Sequence, residues 1–282
     1  MPVHAGRARR RPRPAERRLE RMTAAPSVLD EIVGRVRAGL ARRRPGDGLE
    51  RLESMAAAAA PRDFRAAILA GPAPALIAEC KRASPVRGRL EEGYDPARRA
   101  RAYAAGGASA VSVLTNADFE GSLADLAAAR AAVEVPLLRK DFVVDPVQLL
   151  EARAHGADCV LLIARILAPA ELAALAREAR RLGLQTLVEV HDESEVDAAL
   201  AAGPDLLGVN HRNLATFDVD ASLFARVAPM LPAGLPMVAE SGLRDRADVL
   251  AAGASGARAV LVGETLMRAA DPEAACRALL RD

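Results

Sequence analysis

Short apolar runs recur along the chain from residue 75 onward: "ALIAEC", "AVSVL", "PLLRK", "DCVLLI", "QTLVEV", "DLLGVN", "PMVAE" and "AVLVGE". Successive runs start roughly 20 to 35 residues apart, the length of one strand-plus-helix unit. Most of the intervals are rich in Ala, Leu, Arg and Glu and have helical spacing, as in "APAELAALAREARRLG". Gly107, Gly156, Gly203 and Gly253 each close an Ala-rich stretch shortly before an apolar run, as a glycine does when it ends a helix in the left-handed conformation. Alternating strand and helix predicts a parallel sheet. Eight units predict an α/β fold of the closed (β/α)8 TIM barrel type; an open doubly wound sheet is the rival. Upstream, Val28, Leu29, Ile32, Val33, Val36 and Leu40 make one apolar helical stripe, with Asp30 and Glu31 in its first turn. A second helical stretch follows Asp47, and "PRDFRAAILAGPAP" breaks it. The expected organisation is a disordered basic extension over 1–26 and one barrel domain, including the extra N-terminal helices, over 27–282.

Polar residues interrupt this pattern at the C-terminal ends of the runs. The stretch "PLLRKDFVV", Pro136 to Val144, carries Arg139, Lys140 and Asp141 among apolar neighbours, and charges in a core need partners. Other runs end in Glu79-Cys80-Lys81, Glu189-Val190-His191, Asn210-His211-Arg212, Glu240-Ser241-Gly242 and Gly263-Glu264. Barrel chemistry sits at that end of the strands. Side chains alternate along a strand, so Glu79 and Lys81 share the interior side, Cys80 faces the helices, and Asn210 and Arg212 share one side. A strand-end salt bridge accounts for any one pair. The convergence of Glu79, Lys81, Lys140, Glu189, Asn210, Arg212 and Glu240 on one rim points instead to a site whose groups perturb each other's ionisation. Gly242 and Gly263 directly follow the last two strands, in the loops where barrels bind phosphate.

Composition narrows the function classes. Half of the residues are hydrophobic, enough for a sizeable core, but aromatics are scarce, so Ala, Leu and Val must build it. A net charge of +2 gives the whole chain no case for nucleic acid or membrane. The exception is "RARRRPRPAERR", Arg7 to Arg18, too polar to fold alone. It reads as an extension without function or as a tail for an anionic partner; the lack of Ser and of an amphipathic run disfavours a targeting peptide. Cys80, Cys159 and Cys276 form no CxxC pair, which argues against a disulfide framework and for a reducing cytoplasm. No apolar run approaches the roughly 20 residues that cross a bilayer. The four histidines show no metal-ligand spacing, and no GxGxxG, Walker or hydrolase elbow motif occurs. The residues suggest acid–base chemistry on a phosphorylated small molecule, without cofactor or metal.

The motifs "IAECKRASPVRG", "LRKDFVVDPVQ", "HGADCVLLI", "LVEVHDESE", "GVNHRNLATFDVD" and "VAESGL" together resemble the indole-3-glycerol-phosphate synthase family of tryptophan biosynthesis, in family order from Ser27 onward. The resemblance implies a cofactor-free carboxy-lyase. It closes the ring of 1-(2-carboxyphenylamino)-1-deoxyribulose 5-phosphate, then loses CO2 and water to give indole-3-glycerol phosphate. It implies Lys140 as the acid on the ketone, Glu189 as base, and Lys81 as a second acid or a carboxylate and phosphate contact. Glu79 would hold Lys140 charged and oriented. Ser84, Asn210 and Arg212 match positions that bind the anthranilate end or position the intermediate, and Glu240 matches another mouth carboxylate. Ser241, Gly242, Gly263 and the backbone of Glu264 match the phosphate loops; Phe119 and Phe142 match residues around the aromatic ring. Association with other tryptophan-pathway enzymes is a further implication.

The chain departs from the family pattern in four places. The loop from Thr115 to Ser122 is one residue short, Val86 replaces a serine, His211 replaces a small residue, and Glu264 replaces a hydroxyl beside the phosphate. The alternatives are a related phosphate-binding barrel isomerase and a non-catalytic barrel that binds a partner enzyme. The intact Lys140 and Glu189 argue against both.

Overall fold

Each apolar run forms a strand: β1 Ala75–Cys80, β2 Ala110–Leu114, β3 Leu137–Lys140, β4 Cys159–Ile163, β5 Gln185–Val190, β6 Leu206–Asn210, β7 Met237–Glu240 and β8 Ala259–Val262. Every strand is parallel to its neighbours in sequence, and β8 returns to β1, closing the barrel. The structure, a computed structural model, describes residues 27–43, 46, 48–84, 88–211 and 222–281. The basic extension and Arg212 lie outside the described residues. Among those described, no helix is long and apolar enough to cross a membrane.

Strand alternation sorts the core into two layers. Ile77, Leu138, Leu161, Leu187, Val238 and Leu261 pack inside the barrel. Leu76, Ala78 and Cys80, one position out of phase on β1, pack against the surrounding helices. The helices of the described residues are α1 Val28–Ala41, α2 Leu49–Ala57, α3 Phe64–Ala70, α4 Pro96–Ala105, α5 Leu123–Ala132, α6 Pro146–Ala154, α7 Pro169–Arg181, α8 Val196–Ala201, α9 Leu223–Val227, α10 Arg246–Ala254, α11 Glu264–Met267 and α12 Pro272–Leu280. Their starts are written locally: Asp95, Asp145, Asp245 and Asp271 cap α4, α6, α10 and α12, with proline opening α4, α6 and α12. Ser27 and Asp30 form a capping box on α1. Arg35 of α1 then reaches Asp118 in the loop after β2 at 2.7 Å, fastening the extra helix to the mouth of the barrel.

Two details differ from the sequence expectation. The stretch read as a helix breaker contains α3, whose Phe64 and Ile68 are fully buried in the barrel interior. It is seven residues long, too short for a periodic signal, and depends on the Asp63 cap and on burial of one i,i+4 pair. Gly253 does not end its helix; it lies within α10, where a side chain would strike Pro74, and Gly256 takes the left-handed position instead.

At the N-terminal face, Asp158 gathers three donors: the backbone N–H of Arg62 and of Leu137, both at 2.7 Å, and the guanidinium of Arg130 at 2.8 Å. It is 2% exposed, so its removal leaves buried donors and a cation unpaired. Asp158→Ala is expected to destabilise the fold by about 2–4 kcal/mol, read as a lowered urea midpoint.

Candidate active site

The charges of "LRKDF" separate by strand alternation. Arg139 and Asp141 turn outward and pair at 2.9 Å. Thr115 bridges them, donating to Asp141 at 2.6 Å and accepting from Arg139 at 3.0 Å; Asn116 also donates to Asp141 at 3.1 Å. Glu151 of α6 lies 3.4 Å from Arg139 and also pairs with Arg43, just beyond α1. This closed network fixes the residues on either side of Lys140, which turns into the barrel mouth.

There the Lys140 Nζ lies 3.2 Å from Glu189 Oε2 at the end of β5 and 3.3 Å from Glu240 Oε2 at the end of β7. The first contact is an aligned hydrogen bond; the second is a close approach without that alignment. Both glutamates are 1% exposed. Burial alone would lower the pKa of Lys140, but the charges of Glu189, Glu240 and, further off, Glu79 outweigh it and raise it. Burial works against the charged form of Glu189 as well, yet Lys140 and His191 hold its carboxyl well below the usual range. Glu240 goes the other way: burial and the neighbouring charge of Glu189 push its carboxyl up. The two glutamates that share one ammonium are thus driven apart, one ionised and one inclined to keep its proton.

The remaining sequence-selected residues fall around this pair. Lys81 pairs with Glu79 at 3.2 Å, so Glu79 serves Lys81 directly and Lys140 only at longer range. Glu79 stands opposite Ser112 on β2, and Asn210 opposite Glu240 on β7, so these mouth residues are level in register. Ser241 donates its hydroxyl to Asn210 Oδ1 at 2.7 Å. Ser241 and Gly242 both take positive φ, 68° and 78°, a tight turn after β7. Thr265 donates to the carbonyl of Leu243 at 3.1 Å, tying the loops after β7 and β8 together. Glu264 lies 3.2 Å from Arg268 on its own short helix. Phe119 and Phe142 face each other with ring centroids 6.3 Å apart, so the short β2 loop still brings its aromatic to the β3 loop. Ser84 is half-buried in the β1 loop.

Two site residues, Gly208 and His211, carried no assigned role in the sequence. Gly208 admits the Glu240 carboxylate: a Cβ there would sit 2.2 Å from Glu240 Oε1. The signal was a glycine inside a buried strand, which marks a close approach. Gly263, read as a phosphate-loop glycine, has the same kind of task toward Glu79, at 2.4 Å. His211 turns outward and contacts the Glu240 carbonyl through its backbone N–H at 3.1 Å and its ring Nδ1 at 2.9 Å. It thereby fixes the end of β7. The larger residue at this position fills space behind the site rather than within it.

The chain has counterparts among known proteins. The family model described as indole-3-glycerol phosphate synthase matches residues 29–279. Indole-3-glycerol phosphate synthase 2 of Streptomyces coelicolor is 56% identical over 79% of this chain and 87% of its own length. The indole-3-glycerol phosphate synthase of Rhodococcus jostii is 50% identical over 88% of this chain and 93% of its own. A thiamine phosphate pyrophosphorylase from Pyrococcus furiosus superposes with a TM-score of 0.58 at 16% identity, over 77% of this chain and 96% of that one, a likeness of fold alone. Matched along nearly all of the described barrel, this chain belongs to the indole-3-glycerol phosphate synthase family.

Proposed function

We propose that this chain converts 1-(2-carboxyphenylamino)-1-deoxyribulose 5-phosphate to indole-3-glycerol phosphate, CO2 and water. The observation that carries the reading is the Lys140 ammonium held between Glu189 and Glu240 at the mouth of the barrel. In ring closure the aryl carbon bearing the carboxylate attacks the ketone carbon. The carbonyl electron pair moves to oxygen and takes a proton from Lys140. Loss of CO2 returns its bonding pair to the ring and restores aromaticity. The new hydroxyl then leaves as water with a proton from Lys81, while Glu189 removes a proton from the neighbouring carbon.

The Lys140–Glu189 contact gives these steps an order. While Lys140 is charged, its field keeps Glu189 a weak base. Once Lys140 has protonated the ketone, that field is gone and Glu189 gains basicity when the later step requires it. A proton taken up by Glu189 Oε2 can return to Lys140 Nζ across 3.2 Å, resetting both. A protonated Glu240 serves the same end, because a second anion would repel the substrate's carboxylate and phosphate. Lys81, Ser241, Gly242, Gly263 and the backbone of Glu264 take the phosphate, supported by the junction of the last two loops. Asn210, Ser84 and Arg212 hold the anthranilate end, with Phe119 and Phe142 at the ring. The partner is thus a phosphorylated small molecule. Three buried free thiols favour a reducing, cytoplasmic setting.

Lys140→Ala and Glu189→Gln are each expected to lower kcat by about 10²-fold or more, the scale of a positioned acid or base; near-wild-type turnover in either would remove its assigned role. EDTA is expected to leave turnover unchanged, and clear inhibition would reveal a required metal. Glu240 supplies a separate test through stability. Its folded pKa lies above the ordinary 4.5, so the native state binds its proton more tightly than the unfolded chain does. That contribution is full below pH 4.5 and declines as pH rises toward the folded value. Glu240→Gln keeps the neutral shape and removes this decline. Urea midpoints at about pH 5 and about pH 8 are expected to fall further in the wild type than in the variant. An equal fall in both would show that Glu240 is ionised throughout.

A further inference from the structure

Alternation along β5 sends His191, two residues past Glu189, toward the same face. Its Nε2 lies 3.1 Å from Glu189 Oε1, while Lys140 holds the other oxygen, Oε2. The ring is 1% exposed. Behind it, Glu195 accepts the backbone N–H of His191 at 2.8 Å, and its Oε2 stands 3.9 Å from the ring Nδ1. Both ring nitrogens are buried without an aligned hydrogen bond. A buried polar group in that state calls for an explanation, and packing supplies none, since an apolar side chain fills the same volume without the desolvation cost.

We propose that His191 is a positioning residue for Glu189, its Nε2–H donating to Glu189 Oε1 and fixing the plane of the carboxylate. This rests on the reading of Glu189 as the base. Lys140 secures the carboxylate from one side only, and that hold weakens once Lys140 has given its proton away. The contact from His191 does not depend on Lys140, so it keeps Oε2 aimed at the substrate through the step in which Glu189 acts. Glu195 fixes the main chain of His191, and a small rotation of the ring aligns Nε2–H with Oε1. Apo contacts of this kind commonly tighten when substrate binds.

The test exploits side-chain reach. A glutamine can place its amide nitrogen where the imidazole Nε2 stands, whereas an asparagine amide stops near Nδ1. His191→Asn is expected to lower kcat by about 10-fold or more, the scale of one lost hydrogen bond to a charged group, with KM changed by less than about 2-fold. His191→Gln is expected to stay within about 3-fold of wild-type kcat, rescued by the retained donor. In a Glu189→Gln background His191→Asn is expected to cost nothing further, because two residues acting through one group are not additive. A wild-type kcat in His191→Asn, a Gln variant as damaged as the Asn variant, or an undiminished loss in the Glu189→Gln background would each overturn the positioning role while leaving Glu189 as base. A Glu189→Gln enzyme with wild-type kcat would instead overturn the base assignment and this proposal with it.

Discussion

A lysine ammonium removed from water must be met by anions or lose its proton, and the mouth of this barrel is arranged around that requirement. Lys140 keeps its charge chiefly because Glu189 closes on it from β5, while Glu240 approaches from β7. Those approaches impose conditions elsewhere. A side chain at Gly208 would displace the Glu240 carboxylate from its place, and one at Gly263 would displace that of Glu79. The backbone beneath Lys140 is held from outside by the Arg139–Asp141 pair with Thr115, Asn116 and Glu151. That network reaches Arg43, so the extra N-terminal helical segment braces the strand that presents Lys140. A site built on strand ends and locked from the helix layer restricts the motion of its reacting groups, which suits chemistry that depends on position.

Crowding also sets the division of labour. One ammonium between two buried carboxylates cannot satisfy both as anions at equal cost. Glu189, with an aligned hydrogen bond from Lys140 and His191 close to its other oxygen, takes the charge. Glu240, buried beside that charge, is driven toward its neutral form. One carboxyl pushed up and another held down beside the same ammonium provide an acid–base asymmetry from identical side chains. Lys81 stands just past the end of β1, a strand that does not pair with β3, with Glu79 as its own counterion, which sets it apart from Lys140.

Much of this was legible in the sequence because strand and helix periods are local. The eight runs, the acidic start of α1 at Asp30 and Glu31, and the inward phase of Glu79 and Lys81 follow from alternation and helix-start chemistry. The pairing of Arg139 with Asp141 was not legible, since a run of three charges does not say which faces which layer until the strand's inward residue is known. Neither was the partner of Glu79, because Lys140 and Lys81 are both cations near it and only three-dimensional distance ranks them. Helix α3 escaped notice because a two-turn helix carries too few residues for a period. Gly208 and His191 left weak signals, a glycine inside a strand and a polar residue in phase with Glu189. Their use depends on side chains from other strands, and no local pattern records that.

The most direct measurement is the fluorescence of product formed when the full chain is given 1-(2-carboxyphenylamino)-1-deoxyribulose 5-phosphate, with released CO2 counted in parallel. The chain contains no Trp, so an indole signal reports product without a protein background. Formation of indole-3-glycerol phosphate with an equal amount of CO2 is the predicted result. Folded protein that binds the compound and releases neither would contradict the account and leave the barrel a binding protein.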